Sequence, residues 1–155
     1  MDMNEPRKLV IPNELMLGRV SEFLSEGREV VIMTKGSSMM PFIRGERDSV
    51  VLLRRERLSV GDIVLAQIAP GHYVLHRINA MKDDFVRLKG DGNLDGTELC
   101  RASDVCGTVT AILKGSGRRV DCSARCFKRR SRLWVKAPRI VRRYCLGIYR
   151  RLKFL

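Results

Sequence analysis

Thr34-Lys35-Gly36-Ser37-Ser38-Met39-Met40-Pro41-Phe42 follows a short apolar run, Val31-Ile32-Met33, with the character of a strand. Gly36 supplies backbone freedom and Pro41 fixes φ and cannot extend a ladder, so the two bracket a tight turn at the strand's end. Ser37 and Ser38 sit on that turn, where a nucleophile is well presented, although Gly-Ser-Ser is also ordinary loop composition. Outward from it, Val-, Ile- and Leu-rich runs alternate with Gly, Asp and Pro. This spacing predicts strands at 29–34, 48–54, 62–68, 73–80, 84–90, 105–113 and 118–122, with Ala69-Pro70-Gly71 as a hairpin turn. The expected class is mainly β, an all-β sandwich or a barrel-like sheet with antiparallel neighbours. Upstream, Asn13 is a good N-cap and Gly27 a good terminator for a helix over 13–26. Its apolar face would be Met16, Leu17, Val20, Phe23 and Leu24. One helix leaves no room for a helix-turn-helix.

The charge is segregated. Residues 1–117 carry 16 Lys/Arg and 16 Asp/Glu, whereas 118–155 carry 14 Lys/Arg and the single acid Asp121, which accounts for the whole formal charge of +13. The basic balance therefore belongs to the tail, and the chain divides into a body, 1–122, and a basic appendage, 123–155. Pro138 suits the first position of a helix running to about Lys153. Val141, Tyr144, Cys145, Ile148, Leu152 and Leu155 would share its apolar face, and most of the arginines would lie elsewhere. An anionic membrane surface is the first partner expected for residues 128–155, with Trp134 and Tyr149 as anchors. Docking on protein is the next reading. Nucleic acid is disfavoured because no recognised module accompanies the arginines.

No apolar run reaches 18 residues and the N-terminus is polar, so neither a spanning helix nor a cleavable leader is expected. The five cysteines form no Cys-x-x-Cys pair and only His72 and His76 accompany them, which leaves no zinc-ligand spacing. No metal and no cofactor are expected. The odd thiol count fits a reducing cytoplasm, with a bridge from Cys100 to Cys106 or from Cys122 to Cys126 as the lesser alternative.

Downstream of the Ser38 turn lies Val74-Leu75-His76-Arg77-Ile78, a histidine within an apolar run. It is followed by Leu88-Lys89-Gly90-Asp91-Gly92-Asn93-Leu94-Asp95, a turn with two carboxylates. Taken in this order, the segments resemble the signal peptidase I and LexA-like serine peptidase superfamily over about residues 29–114. Gly36, Ser38, Met39 and Pro41 match its nucleophile box. Gly45-Glu46-Arg47-Asp48 and Val60-Gly61-Asp62-Ile63-Val64 are similar to its Gly-Asp strand entries. His76-Arg77, standing where many relatives carry a lysine base, resembles the endoplasmic-reticulum and archaeal signal peptidase branch.

The resemblance implies a serine endopeptidase on a coiled antiparallel signal peptidase/LexA-type core, acting on a peptide, leader or precursor protein with small residues near the cut. Ser38 would attack the carbonyl, and His76 would take and return the proton. Asp91 or Asp95 would orient the imidazole. The Ser38 backbone N–H would help stabilise the oxyanion, with Ser37 and Met39 as further oxyanion- or substrate-binding candidates. Lys35, Lys82 and Lys89 are available for a Ser-Lys dyad, but none occupies the box that His76 fills. The alternative is a catalytically inactive peptide-binding or regulatory module of the same fold. The expected location is the cytoplasm, including the cytoplasmic membrane face.

Overall fold

The computed structural model describes residues 13–152. Helix α1 (Asn13–Ser25) precedes five strands: β1 (Val30–Met33), β2 (Ser49–Leu53), β3 (Ile63–Ala69), β4 (His72–Lys82) and β5 (Phe85–Lys89). Strand β6 (Glu98–Arg101), a 3₁₀ turn at Ala102–Asp104, β7 (Val105–Leu113) and β8 (Arg119–Asp121) follow, and helices α2 (Arg125–Lys136) and α3 (Arg139–Leu152) close the chain. The strands join in one sheet in the order β1-β2-β7-β3-β4-β5-β6, with β8 paired to β7. Every pairing is antiparallel.

The sheet surrounds two cores. Val20 and Leu24 of α1 pack with Val50, Leu52, Leu65 and Ile112 in the first. Gly107 makes this contact possible, since a Cβ there would sit 2.8 Å from Leu24 Cδ1. In the second, Val64, Ile78, Val86, Leu88, Cys100 and Val105 bring β3 to β7 around a common interior. Of the expected helix face, Val20 and Leu24 are buried and Phe23 is exposed.

The observed elements differ from expectation in two places. Strand β6 was not among the expected strands; it forms because its residues pair antiparallel with β5, Leu88 opposite Glu98 and Val86 opposite Cys100. The basic segment also contains a helix, α2, that is packed on the body. Phe127 belongs to the first core, and its ring meets Phe42 edge-on at 5.6 Å. The expected C-terminal helix is present as α3; Leu155, assigned to its apolar face, lies outside the described residues.

Asp48 ties the segment after β1 to the β7–β8 hairpin. Its carboxylate accepts the N–H of Arg44 at 2.8 Å, the N–H of Gly115 at 3.0 Å and the Lys114 ammonium at 3.1 Å. Burial works to raise its pKa, but these donors outweigh it and hold the carboxyl below its ordinary 3.8. The contribution is thus complete above the unfolded-state value and is lost as pH falls through the lowered folded one. Asp48→Asn should cost roughly 2–3 kcal/mol at neutral pH by urea unfolding. The gap to wild type should narrow below about pH 4.

Candidate active site

Ser38 stands on the turn that leaves β1, and neighbouring segments fix that turn from two sides. From one side, Gly45 N–H donates to Gly36 O at 3.1 Å and Glu46 N–H to Thr34 O at 2.8 Å. From the other comes the loop after β5, where Gly92 N–H donates to Ser38 O at 2.8 Å. A Cβ at Gly92 would lie 2.3 Å from Ser37 O, and one at Gly90 would lie 2.5 Å from Ser38 O. Only glycine allows that approach. The Met40–Pro41 peptide is cis, and Gly36 adopts φ +76°. Among the described residues, neither the Ser38 nor the Met39 N–H donates a backbone hydrogen bond.

Strand β4 delivers His76. Ser38 and His76 line one cleft of about 250 Å³, whose wall includes Leu17, Ile43, Leu65 and Tyr73. Met39 lines it as well and is only 4% exposed, so it supports the cleft from the first core. Ser37 is exposed and is not among the lining residues, which takes it away from the substrate-binding place expected of it. Lys35 also lines the cleft. No hydrogen bond joins Ser38 to His76 among the described residues; the bond His76 makes is on the other side of its ring, where Nδ1 lies 2.8 Å from Glu98 Oε2. The side chain of His76 is 7% exposed and that of Glu98 is 28% exposed. With Nδ1 held by a carboxylate, the imidazole presents Nε2 as the nitrogen available for proton transfer.

Both expected orienters are engaged elsewhere. Asp91 receives Arg77 Nε at 2.8 Å and Arg77 Nη2 at 2.7 Å, and each side chain of the pair is 3% exposed. Arg77 precedes Ile78 on β4 and follows His76, so alternation along the strand sends its guanidinium to the face opposite the imidazole. Asp91 therefore serves the neighbour of the histidine. Asp95 is exposed and accepts Arg139 of α3 at 2.6 and 3.2 Å. The carboxylate at the histidine is Glu98, at the start of the strand that sequence patterning missed.

Two of the cysteines, Cys100 and Cys122, offer no competing nucleophile at neutral pH. Burial pushes the Cys100 and Cys122 thiols up to about 11, so both stay protonated. All five cysteines are free thiols, and neither bridge considered from the sequence is formed. Among the described residues no His, Cys, Asp and Glu cluster of three or more converges as a metal site. No helix among them is long and apolar enough to cross a membrane. Compared with protein-family models and with curated proteins, the chain matches none of them.

The two aspartates should separate cleanly in stability. Asp91→Ala strands a buried guanidinium and is expected to cost about 3–5 kcal/mol. Asp95→Ala removes an exposed pair and should leave the urea midpoint close to that of wild type. Urea titrations of both variants, followed by far-UV circular dichroism, measure the difference.

Proposed function

We propose that this protein is a serine endopeptidase that cleaves a peptide or precursor protein through Ser38 and His76, with Glu98 orienting the imidazole. The observation that carries the reading is the shared cleft, in which Ser38 and a histidine already paired with a carboxylate face the same volume. Ser38 Oγ attacks the scissile carbonyl as His76 Nε2 accepts its proton. The tetrahedral oxyanion takes the N–H groups of Ser38 and Met39. Collapse expels the amine, which receives the proton from the imidazolium, and water repeats the sequence on the acyl-enzyme. Glu98 stabilises the imidazolium formed at each step. In an unliganded site the nucleophile–base hydrogen bond is often absent and forms as substrate binds.

Substrate placement follows from two strand edges. β1 ends the sheet, and β4 pairs with β5 only from Arg77 onward, so among the described residues His72–His76 keep an unpaired edge. Ile32 and Met33 from β1, Thr34 just after it, and Val74, Leu75 and His76 from β4 all border the cleft. An extended peptide can add to these edges by main-chain hydrogen bonds. The limited volume favours small side chains beside the scissile bond. The mainly antiparallel sheet agrees with the coiled core of the signal peptidase and LexA-like superfamily, to which we assign the fold as part of this proposal. Free thiols accord with a reducing, cytoplasmic setting.

A diverse peptide library incubated with the protein and read by mass spectrometry tests the reading. Products that appear with wild type and vanish with Ser38→Ala and His76→Ala are the expected result. Glu98→Gln should retain the fold and lower kcat by on the order of 100-fold or more. Asp95→Asn should cleave as wild type does. Peptides bound equally by wild type and Ser38→Ala, with no Ser38-dependent product, would instead identify an inactive peptide-binding module.

A further inference from the structure

A helix on a domain surface ordinarily turns its apolar stripe inward, and α3 does the reverse. Its one buried residue is Leu146. Its other attachments are few: Cys145 is partly buried, Arg139 grips Asp95 with two bonds, and Arg142 lines a small cavity beside Asp91 and Trp134. Meanwhile Ile140, Tyr144, Ile148 and Leu152, each four residues from the next, are 70%, 72%, 58% and 51% exposed. That spacing places them on one side of the helix. Leu133 on α2, 64% exposed, adds to the uncovered apolar surface. Arg143, Arg150 and Arg151 on α3 and Lys128, Arg129 and Arg132 on α2 are exposed around it.

We propose that α2 and α3 form a platform that seats the protein on an anionic lipid surface. Aliphatic side chains enter the acyl boundary while the arginines reach back to lipid phosphates. The charge selects this occupant. A second copy of the chain would bring one set of arginines against another, and a nucleic acid would satisfy the charge while leaving Ile140, Ile148 and Leu152 in water. The helix lies in the interface plane and does not span it, because its 14 residues extend only about 21 Å against a hydrocarbon core of about 30 Å. The platform is independent of the peptidase reading, so either can fail alone.

Vesicle flotation with the full chain tests it, using phosphatidylcholine vesicles with and without phosphatidylglycerol. Wild type and Ser38→Ala should float equally with the anionic vesicles and progressively less as salt rises. Ile140→Asn/Ile148→Asn alters only exposed positions, and an unchanged circular dichroism spectrum would verify its fold; its binding should fall about tenfold or more at low salt. Arg150→Gln/Arg151→Gln should lose several-fold of the preference for phosphatidylglycerol. Three results would overturn the proposal. The first is no flotation with anionic vesicles at low salt. The second is undiminished binding by the isoleucine variant, which would mean charge attraction alone. The third is a vesicle-free dimer, seen by light scattering, that the isoleucine substitutions dissolve.

Discussion

Arg77 and Asp91 face each other through two parallel hydrogen bonds in a place where each side chain is only 3% exposed. Removing both charges from water is costly, and their attraction offsets the cost only if the remaining donors are also satisfied. Here they are. Arg77 Nη1 donates to Gly61 O at 2.8 Å, and the guanidinium carbon lies 5.1 Å from the Phe42 ring centre and 6.0 Å from that of Phe127. Five separate parts of the chain thus meet at one charged group: β4, the turn before β3, the loop after β5, the segment after Ser38 and helix α2. The pair also orders its neighbour. With Arg77 pinned on one face of β4, the His76 side chain takes the other, where it meets Glu98.

The same pair connects the basic tail to the nucleophile turn. Trp134 Nε1 donates to Asp91 O at 3.0 Å, and two residues along the loop from Asp91's neighbour Gly90, Gly92 N–H holds Ser38 O. The loop is therefore fixed from outside by α2 and presses its glycines against the backbone of Ser37 and Ser38. A displacement of Trp134 would be felt at Ser38 through rigid main-chain contacts within one short loop. The other side of the turn is secured through Thr34, Gly45 and Asp48, the last of which also holds the β7–β8 hairpin.

Strands with several consecutive Val, Ile or Leu residues were legible because burial on a pleated surface selects those side chains. Strand β6 has no such pattern: Glu98-Leu99-Cys100-Arg101 buries only Cys100, and Leu99 is 61% exposed. Its conformation is imposed by the edge of β5, a non-local cause that local composition does not carry. Helix α2 was hidden for a related reason. Phe127, Ser131 and Trp134 mark its inner side at helical spacing, but one of the three is a serine, and arginines, lysines and the exposed Leu133 and Val135 make up most of the rest. The Ser38–His76 part of the site could be read from residue type and order along the chain. The choice of carboxylate could not, because it depends on the register that carries Glu98 to Nδ1 and on the prior claim of Arg77 on Asp91.

The two tail helices are held with unequal strength. Phe127 enters the first core, and burial of a phenylalanine side chain contributes about 1.5–3 kcal/mol, to which the Trp134 hydrogen bond adds about 1. Helix α3 has the burial of Leu146, the partial burial of Cys145 and one Arg139–Asp95 pair that is exposed to solvent and therefore stabilises little. Salt would weaken that pair further, whereas it leaves the aromatic packing of α2 intact. Helix α2 is accordingly part of the scaffold that shapes the Ser38 turn. Helix α3 is a lightly attached element whose apolar side already faces outward, so contact with an apolar surface requires no unfolding of the body.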